Sequence, residues 1–432
     1  MAAMLKLLRP GLRVKRWLGL LLVGMVVLSL GIGFAVTDVY RTAVVPAWVS
    51  VLTLQFVPLL VRAAIFLIVG AGMCVIAFLG LYRSVADVLP SSSQSLVERI
   101  YDYRIRQGGP RIVCIGGGTG MPTVLRGLKH HSANITAIVT VGDDGGSSGR
   151  LRREHGILPP GDFRNNIVAL AEVEPLMARL FQHRFGEGSA LGGHSFGNLF
   201  VLAMTGVTGS FEHALRETSR VLAVQGTILP STLQDVEICA EFADGSDVCG
   251  ESRIPEIGKP IRRIYLKPAH PAAQPEAVSA VLEADLIVVG PGSLYTSVVP
   301  NLLVEGIAKA LIQTDGLKVY VCNVATQPGE TDGYNVEDHV AALVRHLPGR
   351  VNPFDVVIAP RHPDAAVAPQ PGIALVTTTP ARSTEPRVVV EDVVRDDQPL
   401  RHDPDKLAAV LMRVYETERR ARSVNGTVRS AS

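Results

Sequence analysis

The sequence predicts a doubly wound, mostly parallel α/β domain with an inserted β-hairpin, preceded by a two-helix transmembrane hairpin. Three observations carry this. Residues 111–129 (RIVCIGGGTGMPTVLRGLK) read as a buried strand, a glycine loop and a helix. A second apolar strand, 285–289, runs into another glycine loop, Gly290-Pro291-Gly292-Ser293. Residues 17–36 hold no charge, and 63–81 form a second apolar run nearly as long. At 1.5 Å rise per residue, about 20 such residues cross the hydrocarbon core of a bilayer.

Basic residues flank these runs. Lys6, Arg9, Arg13, Lys15 and Arg16 precede the first, and Arg83, Arg99, Arg104 and Arg106 follow the second. The connecting loop carries only Arg41, Arg62 and Asp38. That bias places both ends in the cytoplasm, with a short external loop, in a two-span cell-membrane protein. A cleaved signal peptide has a shorter apolar core and no second span behind it. The expected division is a membrane anchor at 1–90, a juxtamembrane linker at 91–108, a globular domain at 109–379 and a polar tail at 380–432 with one helix from 404 to 422.

Net charge is +2 and charged residues make up 19% of the chain, which excludes a nucleic-acid-binding field. The five cysteines are scattered without a CxxC pair, which favours a reduced compartment and excludes a zinc site.

Within the globular part, the first unit is built for an anion. Gly116, Gly117, Gly118, Thr119 and Gly120 permit close backbone approach, and the first turn of the following helix presents free amides at its positive dipole end. The loop fits neither the dinucleotide fingerprint, because Met121 stands at a glycine position, nor the Walker pattern. A glycine turn without a ligand is the plain alternative. Further strands are expected at 135–141, 318–324 and 355–359, and helices at 197–204, 211–224 and 301–312. A hairpin is expected around Asp244-Gly245, flanked by 236–242 and 248–254. Two glycine loops at carboxyl ends of strands imply one crevice at a topological switch point.

Three more stretches carry candidate chemistry. The run 142–150 (GDDGGSSGR) follows the second strand. Asp143 and Asp144 suit Mg²⁺ or a ribose, while Ser147, Ser148 and Arg150 suit phosphate; a solvated surface loop is the competing reading. The run 159–166 (PPGDFRNN) adds Asp162, Arg164 and Asn165, with helix capping as the alternative for Asp162. The run 192–199 (GGHSFGNL) places His194 and Asn198 four apart at a helix start, as a catalytic base or as capping and buried polar residues. Tyr295, past the second glycine loop, is placed to stack on a base or to pack in the core.

Together GGGTG, TVGDDGGSSGRLR, ILPPGDFRNN, GGHSFGNL, GPGSLYTSVVPNLLV and CNVATQPGETDGY resemble the gluconeogenesis factor family (YvcK-like), a relative of 2-phospho-L-lactate transferase. The resemblance spans residues 111–360 in order. It implies a CofD-like, modified Rossmann fold that binds a UDP-sugar, notably UDP-N-acetylglucosamine. It further implies a regulatory role linking carbon metabolism to cell-wall precursor supply and cell shape, with homo-oligomers and cell-wall-synthesis proteins as partners. The related transferase has two aspartates near a divalent metal, matched here by Asp144 and Asp162. The enzymatic alternative is therefore a Mg²⁺-dependent transfer of a phosphorylated group from a nucleotide-activated donor, with Asp144, Asp162 and His194 as catalytic candidates. A nicotinamide dehydrogenase ranks last, because no acidic residue stands about 20 residues past the glycines. Gly142 and Glu305 stand where relatives carry alanine and proline.

Overall fold

A computed structural model describes residues 56–88 and 105–429, apart from 173–174, 189, 363–371 and 379–385, with a few single positions before 56. The chain forms two compact units, Met1–Ile105 and Arg106–Ser432.

In the first unit a helix spans Leu59–Val88. Among the described residues no helix is long and apolar enough to cross a membrane. The expected first span falls almost entirely outside the described residues, so the two-helix hairpin finds no support in the structure.

The second unit is a seven-stranded, fully parallel sheet. Strand β1 (Ile112–Gly116) leads through helix α1 (Gly120–Leu128) to β2 (Ile135–Val139). Five helices follow: α2 (Gly146–His155), α3 (Pro160–Leu170), α4 (Pro175–Gln182), α5 (Phe196–Thr208) and α6 (Phe211–Val221). They lead to β3 (Thr227–Pro230). An antiparallel insertion, β4 (Glu237–Phe242), β5 (Asp247–Cys249) and β6 (Ile261–Lys267), precedes α7 (Pro275–Glu283) and β7 (Leu286–Val289). After β7 come a π-turn (Leu294–Val298), α8 (Val299–Leu302), α9 (Glu305–Gln313), β8 (Leu317–Val321), α10 (Val336–His346), β9 (Val356–Pro360), β10 (Arg387–Glu391) and α11 (Pro404–Arg429).

Side chains alternate across each strand, so one strand feeds two cores. Ile112 and Cys114 of β1 join one apolar cluster, with Met121, Val124, Leu125 and Leu128 of α1. Val113 and Ile115 join the other, with Ile307, Ala308 and Leu311 of α9. Continuous apolar strands such as IVCIG and LIVV are what a sheet covered on both faces requires. The order β10-β9-β8-β7-β1-β2-β3 winds outward from β1 in one direction and from β7 in the other. The switch point therefore lies between β1 and β7, as the two glycine loops implied.

Three expectations change. The inserted hairpin is a three-stranded sheet, because β6 pairs antiparallel with β4. Cys239 and Cys249 face each other across β4 and β5 and form a disulfide, so the cysteines are not all free. The carboxyl-terminal segment is no separate tail: β10 pairs with β9, and α11 buries Leu407, Ala408 and Leu411 in the core shared with α1. A Cβ on Gly127 would overlap the Pro404 carbonyl, which shows how closely α1 and α11 approach. Glu305, one of the two residues that depart from the family pattern, opens α9 and pairs with Lys309 one turn on at 2.5 Å; a carboxylate in a first turn suits the helix dipole.

Candidate functional site

The glycine loop after β1 turns through Gly118, whose φ of 61° favours glycine, into the first turn of α1. Gly120 lies against the loop after β7, where a Cβ would overlap the Pro291 carbonyl oxygen. The loop after β8 locks onto the same place. Asn323 Oδ1 accepts from the Gly292 N–H at 3.1 Å, and Asn323 Nδ2 donates to the Gly292 carbonyl at 2.8 Å. Gln327 Nε2 donates to Ser293 Oγ at 2.8 Å. A cavity of about 690 Å³ opens over these loops. Thr119, Gly120, Gly292, Ser293, Asn323 and Gln327 line it, and the segment 397–402 forms its outer wall. Two buried polar atoms of its lining, Gln327 Oε1 and His402 Nδ1, have no hydrogen-bond partner in the protein.

Beside this cavity lies a patch of carboxylates. Asp162 Oδ2 accepts from the Gly118 N–H at 2.6 Å. Burial raises the Asp162 pKa to about 6, against the opposing pull of the Gly118 hydrogen bond and with a further push from Asp143. Asp143 is raised as well, mainly by burial. Glu251, at the end of the inserted sheet, is pushed up to about 8 by burial and then by Asp143, Asp162, Asp144 and Glu330. Glu330 is itself raised by burial, and its carboxylate accepts from the Tyr295 N–H at 3.1 Å and Thr296 Oγ1 at 3.0 Å.

Carboxylates that desolvation and mutual repulsion hold back from ionising are a donor set suited to a hard dication. Asp162 and Asp143, with Glu251 beside them, are the residues that would hold Mg²⁺. Asp144 stands at the edge of the same patch, where its Oδ1 accepts from the Ser252 N–H at 2.9 Å and ties the loop after β2 to the insertion. Among the described residues no three carboxylates come within 4.8 Å of one another, so the acidic patch is not a closed three-carboxylate cage.

Most of the remaining predicted residues form a support one loop away and do not line this cavity. Ser147 Oγ and His194 Nδ1 are 2.9 Å apart, and Asn198 Nδ2 donates to Ser147 Oγ at 3.0 Å. Burial and then Arg150 lower the His194 pKa. The helix cap is Ser195, whose hydroxyl accepts from the Asn198 N–H. Ser148 Oγ accepts from the Gly161 N–H, joining α2 to the start of α3. Arg150 donates to the Gly192 carbonyl at 2.7 Å. Arg164 is buried, with its pKa lowered to about 10 by burial and then Arg184. Its guanidinium donates to Asn165 Oδ1 at 2.8 Å.

One expectation is overturned here. Tyr295 does not stack on a base: it is 0% exposed, sits in the apolar core behind the π-turn, and its hydroxyl lies 2.8 Å from that of Tyr334. The Gly118 N–H is taken by the Asp162 carboxylate, and a side chain at Gly117 would overlap Thr140 and Asp162. The cavity-facing positions are Thr119 and Gly120. The carboxyl-terminal wall residues and Glu251 carried no motif of their own in the sequence; Asn323, Gln327 and Glu330 lie within CNVATQPGETDGY, where the resemblance gave the only signal.

The CofD family profile, described as 2-phospho-L-lactate transferase CofD, matches residues 112–418. A Bacillus subtilis protein named gluconeogenesis factor is 56% identical over 238 residues, covering 55% of this chain and 75% of its own. This chain belongs to the CofD family, in its gluconeogenesis factor branch. A branch member from Nostoc sp. is 44% identical over 422 residues, 95% of this chain and 92% of its own. The crystal structure of a upf0052 family protein from Bacillus halodurans superposes with a TM-score of 0.66 at 44% identity, over 70% of this chain and 99% of that one. CofD membership accounts for the reach of the fold through α11, since the profile ends within that helix.

Proposed function

We propose that the crevice between the β1, β7 and β8 loops binds a UDP-sugar such as UDP-N-acetylglucosamine, and that the protein acts as a ligand-reading regulator of cell-envelope metabolism. The observation that carries this reading is the packing of Gly120 on Pro291, which brings two glycine loops together at the switch point beneath a 690 Å³ cavity. That volume lies in the range of small-molecule sites, and the position is where ligands sit in open α/β sheets. The diphosphate belongs at the first turn of α1, beside Thr119 and Gly120. The unpartnered Gln327 Oε1 and the hydroxyl and amide groups around it suit a uracil or a sugar. UDP-N-acetylglucosamine raises the melting temperature of the full chain more than equal concentrations of NAD or GDP do; an equal or larger shift with NAD overturns the reading.

One observation favours a second reading, transfer of a phosphorylated group. Asp143, Asp162 and Glu251 are held back from ionising beside the glycine loop, so a dication there would both neutralise them and offset phosphate charge. Product formation from a nucleotide-activated donor in the presence of Mg²⁺ separates this from pure binding.

Membrane attachment of the first unit completes the proposal, with both ends cytoplasmic. It rests on the uncharged run 17–36, on the flanking basic residues and on the exposed apolar side chains between Leu60 and Ile76, which are 84% and 72% exposed. Cysteine labelling that placed the sheet domain outside the cell would refute it.

A further inference from the structure

A second cavity, of about 580 Å³, adjoins the first and shares Thr119, Thr123, Gln398, Arg401 and His402 with it. Three elements bring guanidinium groups to its wall: Arg126 from α1, Arg179 from α4, and Arg395 and Arg401 from the segment before α11. Arg395 is engaged by Asp397, through bonds of 2.8 and 2.7 Å. Among the described residues, Arg126, Arg179 and Arg401 have no carboxylate partner within 4.0 Å.

A solvated arginine face is the ordinary explanation for exposed guanidiniums on one helix. Here they come from three separate elements around one concavity, and a further cation stands behind them. Arg164 is 5% exposed, has no ion-pair partner among the described residues, and its Nε has no hydrogen-bond partner. Its guanidinium donates to Asn165 Oδ1, which also accepts from Gln182 Nε2 at 3.3 Å. With that oxygen held by two donors, the Asn165 amide nitrogen is left as a donor in a residue that lines the cavity. Asp162 and Asp143 act on it only at longer range, and a buried cation with no carboxylate in contact favours further negative charge nearby. Guanidinium forks from several directions match a multiply charged tetrahedral oxyanion.

We propose that this second chamber binds a phosphate-bearing small molecule distinct from the nucleotide-sugar. The chain would then read two anionic ligands side by side, with Thr119, Arg401 and His402 as the shared wall through which one affects the other. This proposal stands on the arginines and does not need the first cavity to be a UDP-sugar site.

Inorganic pyrophosphate is the probe, titrated into the full chain by calorimetry, alone and with saturating UDP-N-acetylglucosamine. Pyrophosphate binds with one-to-one stoichiometry in both cases. The Arg126→Gln/Arg179→Gln double variant weakens it by about tenfold or more, while UDP-N-acetylglucosamine affinity stays within about twofold. Arg179→Gln alone gives a smaller loss in the same direction, and both variants melt at the parent temperature because both side chains are exposed. Competition between pyrophosphate and UDP-N-acetylglucosamine for a single site, or parent-like pyrophosphate binding by the double variant, overturns the proposal. Should UDP-N-acetylglucosamine fail to bind while pyrophosphate binding still depends on Arg126 and Arg179, the second chamber stands and the UDP-sugar reading falls.

Discussion

Gly120 and Pro291 are in backbone contact across the switch point: no side chain fits between the α-carbon of the first and the carbonyl oxygen of the second. The contact joins the loop after β1 to the loop after β7, and neither backbone can yield without moving its strand. Gly120→Ala should therefore force the loops apart, costing about 1–3 kcal/mol of stability and most of the ligand affinity. Chemical denaturation combined with a binding titration checks this; a parent-like variant would show that the loops are not clamped.

Asp162 works at the same contact from below. Its carboxylate holds the Gly118 amide and faces Asp143, so a bound dication would draw protons off the group. Mg²⁺ binding at pH 6 should release protons in calorimetry repeated in buffers of different ionisation enthalpy, and Asp162→Asn should reduce the release while Glu251 keeps supplying its share. Mg²⁺ binding that releases no protons in the parent would contradict the assignment.

Glu251 gives a pH signature. Its folded pKa of about 8 lies above the ordinary glutamate value near 4.3, so between these the folded state holds a proton that the unfolded chain has lost. Its contribution to stability therefore falls as pH rises from about 4.5 to 8. Glu251→Gln should remove that slope and leave the protein more stable than the parent at pH 8, by about 1 kcal/mol or more. Unfolding curves at pH 5.5 and pH 8 decide it, and a variant whose stability changes with pH as the parent's does would refute the placement.

Much of this was legible in the residues. The continuous apolar runs at 112–116 and 286–289, the first ending in glycine and the second followed by Gly290, encode strands buried on both faces and the loops that follow them. What was not legible depends on distant partners. Strand β6 reads IRRIYLK, with outward Arg262 and Arg263 interrupting the apolar alternation, and only its pairing with β4 makes it a strand. Cys239 and Cys249 are ten residues apart in sequence, and the hairpin register alone sets them opposite each other. Tyr295 follows a glycine loop in sequence, yet the π-turn rotates its ring into the core. Glu251 has no local motif and reaches the acidic patch because the insertion folds back over Asp144.

Tyr295 offers a direct check on that last correction. Tyr295→Phe removes the hydrogen bond with Tyr334 and should cost about 0.5–1.5 kcal/mol of stability, leaving UDP-sugar affinity unchanged. Affinity lost without loss of stability would restore the ring to the ligand site.

The central claim is that the switch-point crevice selects a nucleotide-sugar. Calorimetric titration of the full chain with UDP-N-acetylglucosamine, NAD and GDP in turn tests it most directly. The account predicts saturable one-to-one binding of UDP-N-acetylglucosamine, at least about tenfold tighter than either of the others, a difference of about 1.4 kcal/mol. NAD or GDP binding as tightly as UDP-N-acetylglucosamine, or no binding of the UDP-sugar at all, would contradict it.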